Sequence, residues 1–232
     1  MTERKKAAQA AAAQMHRLDR RAAVQQLIGD PGRYLIVAGL AGTKNDVLAA
    51  TGADCATVFA MGGAMGGAVS MGMGLALAQP KRRVLVVTGD GELLMNVGAL
   101  ATVAVLNPPN LGIVCVDNEH YGETGFQKSH TARGVNLALM AEGAGLSAIR
   151  TVTVPAQLAD AARVLWESNC SAFVLLKVAA DYPQGVHGTW DAALVKNRFC
   201  TALSGKTALS GKTALSGETA LSGETALSGK QP

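Results

Sequence analysis

Residues 84–118 constrain this chain more than any other stretch. The apolar run Val84-Leu85-Val86-Val87 leads into Gly89-Asp90-Gly91, a helical segment follows, Pro108-Pro109 closes it, and a second apolar run, Leu111 to Val116, ends on Asp117-Asn118. Val and Leu without polar alternation indicate strands buried on both faces, as in a parallel sheet, and ligands of such sheets sit beyond the strand carboxyl ends. Asp90 and Asn118 both fall there. Between them, Glu92 to Leu106 reads as one helix with Leu93, Leu94, Val97, Leu100, Ala101, Ala104 and Val105 on a broad apolar face.

Those positions suit a divalent cation and a diphosphate. Mg²⁺ takes oxygen ligands, typically one or two protein groups beside waters and phosphates, and the Asp90 carboxylate and Asn118 amide oxygen fit that need. Gly89 and Gly91 allow a sharp turn and a close phosphate approach, and the helix after them offers unpaired N–H groups to an anion. The exit of the first strand, Tyr34 to Ala38, is a second candidate contact, with Gly39 permitting backbone approach and Thr43 supplying a hydroxyl. A plain strand-to-helix turn would read the same way there.

The Gly-Asp-Gly string, the 25 residues after it and the closing Asp117-Asn118 resemble the cofactor motif of thiamine diphosphate-dependent enzymes. The resemblance covers roughly residues 30–180 and implies an α/β fold, a doubly wound, mainly parallel sheet with helices on both faces. It corresponds to the diphosphate-binding (PP) domain of that family. It implies thiamine diphosphate and Mg²⁺ as cofactors, with Asp90, Asn118 and the backbone carbonyl of His120 as metal ligands. Cofactor contacts carried over are Gly39, Thr43, Gly63, Met65, Gly89, Asp90, Gly91, Glu92, Asn118, Tyr121 and Gly122. Met65 corresponds to the bulky apolar residue that holds the cofactor bent. The runs Asp117 to Gly125 and Lys196 to Phe199 look most like the β subunits of two-chain sulfopyruvate and phosphonopyruvate decarboxylases.

In that family, a Glu on a separate pyrimidine-binding (PYR) domain activates the cofactor. This chain has no room for such a domain, and Glu92, Glu119 and Glu123 belong to the PP region, facing the metal or the substrate. The resemblance therefore implies a PYR-domain α subunit as partner and a small 2-oxo acid as substrate. His120, Glu123 and His130 are the candidate catalytic residues. Lys128, His130 and Arg133 are candidate cations for a phosphonate or sulfonate, against a plain reading as a solvated loop. The segment Tyr182 to Trp190 carries His187 but no Arg, a departure from the family's charged loop, and leaves the 2-oxo acid open. The alternatives are the cofactor-binding subunit of a ferredoxin-linked 2-oxo acid oxidoreductase and a non-catalytic subunit of this fold.

The remaining sequence sets boundaries. A dinucleotide fingerprint at Gly62 to Gly67 would need a strand directly before it and an acidic residue about 20 positions on, and neither is evident. With 49% apolar and 4% aromatic residues, the core is expected to consist of Val, Leu, Ala and Met. Cys55, Cys115, Cys170 and Cys200 show no metal-ligand spacing, and Cys115 reads as a buried small hydrophobe. Charged residues without an apolar leader or long apolar span predict a cytoplasmic protein without a membrane segment. The net charge of +4 is scattered, with Arg20-Arg21 and Lys81-Arg82-Arg83 too short for a nucleic-acid surface.

Residues 1–14 read as a flexible leader, 15–200 as the PP domain, beginning with a helix from Met15 to Ile28, and 201–232 as a tail. Residues 61–78, rich in Gly, Ala and Met, suit close helix packing. Helices are expected over 135–143 and 155–168, and a strand over 171–178. The tail repeats Thr-Ala-Leu-Ser-Gly-Lys/Glu five times. A period of six does not keep its leucines on one helical stripe, and each Gly weakens a helix by about 1 kcal/mol, so disorder is expected.

Overall fold

A computed structural model of the chain describes residues 18–186, 189 and 191–204. Six strands form one wholly parallel sheet: β1 (Tyr34–Ala38), β2 (Val58–Ala60), β3 (Arg83–Gly89), β4 (Leu111–Asp117), β7 (Ala148–Val152) and β8 (Ala172–Lys177). Their spatial order is β2-β1-β3-β4-β8-β7. A two-stranded antiparallel hairpin, β5 (His120–Tyr121) with β6 (Gln127–Lys128), stands apart from it.

Alternate residues of the strands enter two cores, as a period of two requires. On one face Tyr34, Ile36, Leu85, Val114 and Val174 pack under α1 (Arg20–Ile28), α2 (Gly42–Thr51) and α7 (Leu158–Glu167). On the other, Leu35, Val37, Val86, Ile113 and Phe173 meet α3 (Ala68–Ala78), α4 (Asp90–Leu94), α5 (Ala99–Leu106), α6 (Leu137–Gly143) and α8 (Ala192–Ser204). The doubly wound α/β expectation holds. Small residues do let α3 lie close to the sheet: a Cβ on Gly72 would stand 2.1 Å from Val86 Cγ2. Cys115 is buried in β4 as a core residue.

Several expectations need correction. The helix expected over 92–106 is two helices, and the turn at 95–98 separates them. Asn96 breaks the run by donating its amide to Gly66 O (3.1 Å) and Ser70 Oγ (3.4 Å), and Gly98 follows it. The break rotates α5, so Val103 is buried while Val105 is 84% exposed. The first helix starts at Arg20, because Asp19 caps it by accepting from Ala22 N, and Leu18 bridges to Val178 instead. Among the described residues, methionine stays out of the buried core; Met61, Met71 and Met73 only pack against it.

A strand, β2, does precede the Gly62 to Gly67 run, contrary to the sequence reading. At three residues it gives too short an apolar signal to see. β7, the β5–β6 hairpin and α8 are likewise not visible in the sequence, whereas α2 follows β1 as a strand-to-helix turn at residues 39–43 would have it. α8 runs to Ser204, into the first repeat. Residues 1–17, 187, 188, 190 and 205–232, with the leader, His187 and nearly all of the tail, lie outside the described residues. Among the described residues, no helix is long and apolar enough to cross a membrane.

Candidate functional site

The chain leaves β1 towards β2 on one side, while β3 lies on the other. Such a reversal opens a crevice at the carboxyl edge. A cleft of about 100 Å³ lies there, walled by the ends of β1, β3 and β4 and by the β5–β6 hairpin. Of the expected site residues, Thr43, Met65, Gly89, Asp90, Gly91 and Glu92 line it. So do Asn118, His120, Tyr121, Gly122 and Glu123. Gly39, Gly63 and His130 do not line it, and Lys128, His130 and Arg133 are exposed. Among the described residues, the His130 side chain is hydrogen-bonded only to Tyr121, whose hydroxyl lies 3.4 Å from Nδ1. A larger cavity of about 240 Å³ lies against β2 and α8, away from these groups.

Asp90 is buried at the start of α4, and its Oδ2 accepts from Ser129 Oγ (2.5 Å) and Thr131 Oγ1 (3.1 Å). Thr131 Oγ1 also lies 2.8 Å from Asp117 Oδ1, so one hydroxyl stands between two buried carboxyls. Burial first, then the charge of Asp117, pushes the Asp90 carboxyl above its ordinary range, and the Ser129 and Thr131 bonds offset only part of this. Lys177 Nζ is engaged by Asp117 Oδ2 (2.8 Å) and Glu119 Oε1 (2.7 Å). Burial works to lower the Lys177 pKa, but the two acids more than offset it and leave it raised. Asp90 is thus a buried acid short of positive charge, which a divalent cation would supply.

Asn118 is oriented for the same purpose. Its Nδ2 donates to Asp181 O (3.0 Å), which fixes the amide, and its Oδ1 accepts from His120 N (3.1 Å) with a second lone pair to spare. No cluster of three His, Cys, Asp or Glu suited to a metal occurs among the described residues. A set of one carboxylate with amide and carbonyl oxygens is instead a hard-cation set. The His120 ring stacks on Phe126 at 4.5 Å, with Nδ1 2.9 Å from Asn118 O. A carbonyl oxygen only accepts, so Nδ1 is the donor of this bond.

The glycines act differently from the sequence reading. Gly89 has an ordinary φ of −93° and needs no special turn. Gly91 is set by packing, since a Cβ there would stand 2.3 Å from the Tyr121 ring. Nor does α4 offer a free N-terminus, because Glu92 bends back and accepts from Gly89 N (3.4 Å). Glu92 Oε2 also accepts from Thr88 Oγ1 (3.0 Å) and Leu40 N (3.2 Å), tying the β1–α2 loop to the end of β3. Burial raises its pKa, those bonds offset it only in part, and Oε1 is buried without a hydrogen-bond partner among the described residues. α2 also lacks a side-chain cap, since its N-cap, Ala41, holds φ 62° and supplies no side-chain bond, and its first turn lines the cleft.

Sequence reasoning missed Ser129, Thr131, Lys177, Tyr182 and Arg20. Arg20 is buried, lines the cleft and pairs with Asp46 at 2.8 Å. A signal for it exists: two arginines in the first turn of a helix oppose the helix dipole and call for a specific acidic partner.

The family model for the thiamine pyrophosphate enzyme, C-terminal TPP binding domain, matches residues 46–178. Sulfopyruvate decarboxylase subunit beta of Methanocaldococcus jannaschii is 41% identical over 116 residues, which span 50% of this chain and 61% of that protein. The same subunit of Methanothermobacter thermautotrophicus is 39% identical over 133 residues, 57% of this chain and 70% of that one. A phosphonopyruvate decarboxylase of Streptomyces viridochromogenes is 42% identical over 103 residues, 44% of this chain and 25% of that protein. A solved structure from Mycobacterium smegmatis, assigned to the thiamin diphosphate-dependent enzymes, shares the fold with a TM-score of 0.55 at 21% identity, covering 66% of this chain and 31% of that one. With its matched domain spanning more than half of its length and its fold agreeing, the chain belongs to the thiamine pyrophosphate enzymes and carries their C-terminal TPP binding domain.

Proposed function

We propose that this chain is the β subunit of a two-chain, thiamine diphosphate- and Mg²⁺-dependent decarboxylase of small 2-oxo acids, of the sulfopyruvate and phosphonopyruvate type. Residues 15–200, with the end of α8 to Ser204, form its PP domain, and a cytoplasmic location goes with this reading. The observation that carries it is that the buried Asp90 and the fixed amide of Asn118 line one cleft, at the edge where the sheet reverses. Lys177 is already engaged by Asp117 and Glu119, and the charge that acts on Asp90 is that of Asp117, so Asp90 calls for a cation of its own. The names of the similar decarboxylase subunits supply the reaction class.

Asp90, Asn118 and the carbonyl of His120 would hold Mg²⁺. The first turn of α2, with Thr43, would hold the diphosphate, and Met65 would support the cofactor's bend. Bound there, thiamine diphosphate supplies the electron sink that decarboxylation of a 2-oxo acid requires. The chain's own part is to bind and orient. His120, with its proton held on Nδ1, and Glu123, beside Tyr182 on the cleft wall, are the groups able to move a proton on the substrate side. A PYR-domain α subunit would supply the Glu that activates the cofactor.

The test is CO₂ release from a panel of 2-oxo acids by the chain alone, by a PYR-domain chain alone and by the two together. Release only from the pair, fastest with a sulfonated or phosphonated substrate, is expected. Release from neither, with cofactor and Mg²⁺ present, would overturn the reading.

A further inference from the structure

Arg20 is the first residue of α1, far in sequence from the motif, yet its guanidinium is buried in the cleft wall with 4% exposure. Two of its three nitrogens are committed. Nε donates to Asp46 Oδ2 (2.8 Å) and Nη1 to Asp181 O (3.1 Å). Asp181 O also accepts from Asn118 Nδ2 (3.0 Å), so the arginine is tied through one carbonyl to the amide proposed for the metal. The third nitrogen, Nη2, has no hydrogen-bond partner among the described residues and is not sealed from solvent.

Nη2 lies against the start of α2. A Cβ on Gly42 would stand 2.6 Å from it, so this position is glycine because a guanidinium occupies the space. A cation beside the positive end of a ten-residue helix is electrostatically costly. Asp46, one turn into α2, offsets part of that cost. An oxyanion seated between Nη2 and the uncapped N–H groups of Gly42 and Thr43 would be attracted by both, and a guanidinium edge suits tetrahedral oxyanions.

We propose that Arg20 is the anion-recognition residue of this cleft, holding a tetrahedral oxyanion between its Nη2 and the first turn of α2. The inference rests on the reading of the cleft as a diphosphate site. The oxyanion is either a phosphate of the cofactor or the sulfonate or phosphonate of the substrate, and both share this chemistry. Asp46 and Asp181 O act as positioning groups that aim the fork.

The test is calorimetry on the full chain, alone and with its PYR-domain partner, comparing parent, Arg20→Gln and Arg20→Lys. The probes are Mg²⁺-pyrophosphate and, with cofactor present, phosphonoacetate and sulfoacetate; thermal melts without ligand establish folding. At least a tenfold loss for pyrophosphate in the variants assigns Arg20 to the cofactor. An equal loss confined to phosphonoacetate or sulfoacetate assigns it to the substrate. Arg20→Lys keeps a cation near Asp46 but cannot reach Asp46, Asp181 and the cleft together, so it carries the test if Arg20→Gln fails to fold. A folded Arg20→Lys that binds all probes as the parent does overturns the proposal. A parent that binds neither pyrophosphate nor thiamine diphosphate overturns the diphosphate reading beneath it, a separate failure.

Discussion

The carboxyl of Glu92 occupies the space that a side chain at residue 39 would need: a Cβ on Gly39 would stand 2.0 Å from Glu92 Oε2. That oxygen holds Leu40 N and Thr88 Oγ1, so displacing it releases the β1–α2 loop from the end of β3. Gly39→Ala should therefore destabilise the fold by about 1–3 kcal/mol, from overpacking and from hydrogen bonds lost at a buried acid. Glu92→Gln, which keeps one accepting oxygen, should cost less. Urea unfolding of the two variants beside the parent checks the order.

The buried Asp46 sets a pH dependence. Its pKa is raised from 3.8 to about 6, by burial first, against which Arg20 works only in part. A folded state that holds a proton more tightly than the unfolded chain gains on acidification, so this group's effect on stability worsens as pH rises from about 4 to about 6. The difference across that window is on the order of 2–3 kcal/mol. Asp46→Asn should flatten this part of the stability profile, whatever its effect on absolute stability. Denaturation midpoints at pH steps through the window measure the slope.

Lys177 bridges Asp117 and Glu119 with a single positive charge. Lys177→Met would leave the buried Asp117 uncompensated, beside an already raised Asp90, at a cost of about 3 kcal/mol. Adding Asp117→Asn to it should recover a substantial part. A double-mutant cycle by thermal melting tests both statements.

The limits of the tail bear on truncation. α8 continues to Ser204, and Leu203 packs against the core, so deleting residues 205–230 should leave stability and cofactor affinity unchanged. Deleting from residue 201 removes the last turn of α8 and should cost about 1–2 kcal/mol. Melting curves of the two truncations distinguish them; a large loss in the shorter deletion would give the repeats a structural role.

How much the sequence reveals depends on how locally each feature is encoded. The parallel sheet and the placement of Asp90 and Asn118 are legible because Val84 to Val87 and Leu111 to Val116 are continuous apolar runs, and both polar residues fall directly after them. The split between α4 and α5 is hidden because the residues on either side are good helix formers, and only the tertiary bonds of Asn96 to Gly66 and Ser70 decide it. Arg20, Thr131 and Lys177 reach the site from α1, a 3₁₀ turn and the end of β8, at sequence distances where no periodicity operates. The edge strand β7 is hard to see because its sequence, Ala-Ile-Arg-Thr-Val, is only partly buried.

The central claim is that Asp90 and Asn118 form a Mg²⁺ site for thiamine diphosphate, and Mg²⁺-dependent cofactor binding by calorimetry tests it most directly. The full chain, with its PYR-domain partner, should bind thiamine diphosphate only when Mg²⁺ is present. Asp90→Ala, which also relieves the repulsion from Asp117, should remain folded and lose that binding. Cofactor affinity retained by Asp90→Ala, or unchanged when Mg²⁺ is removed from the parent, would contradict it.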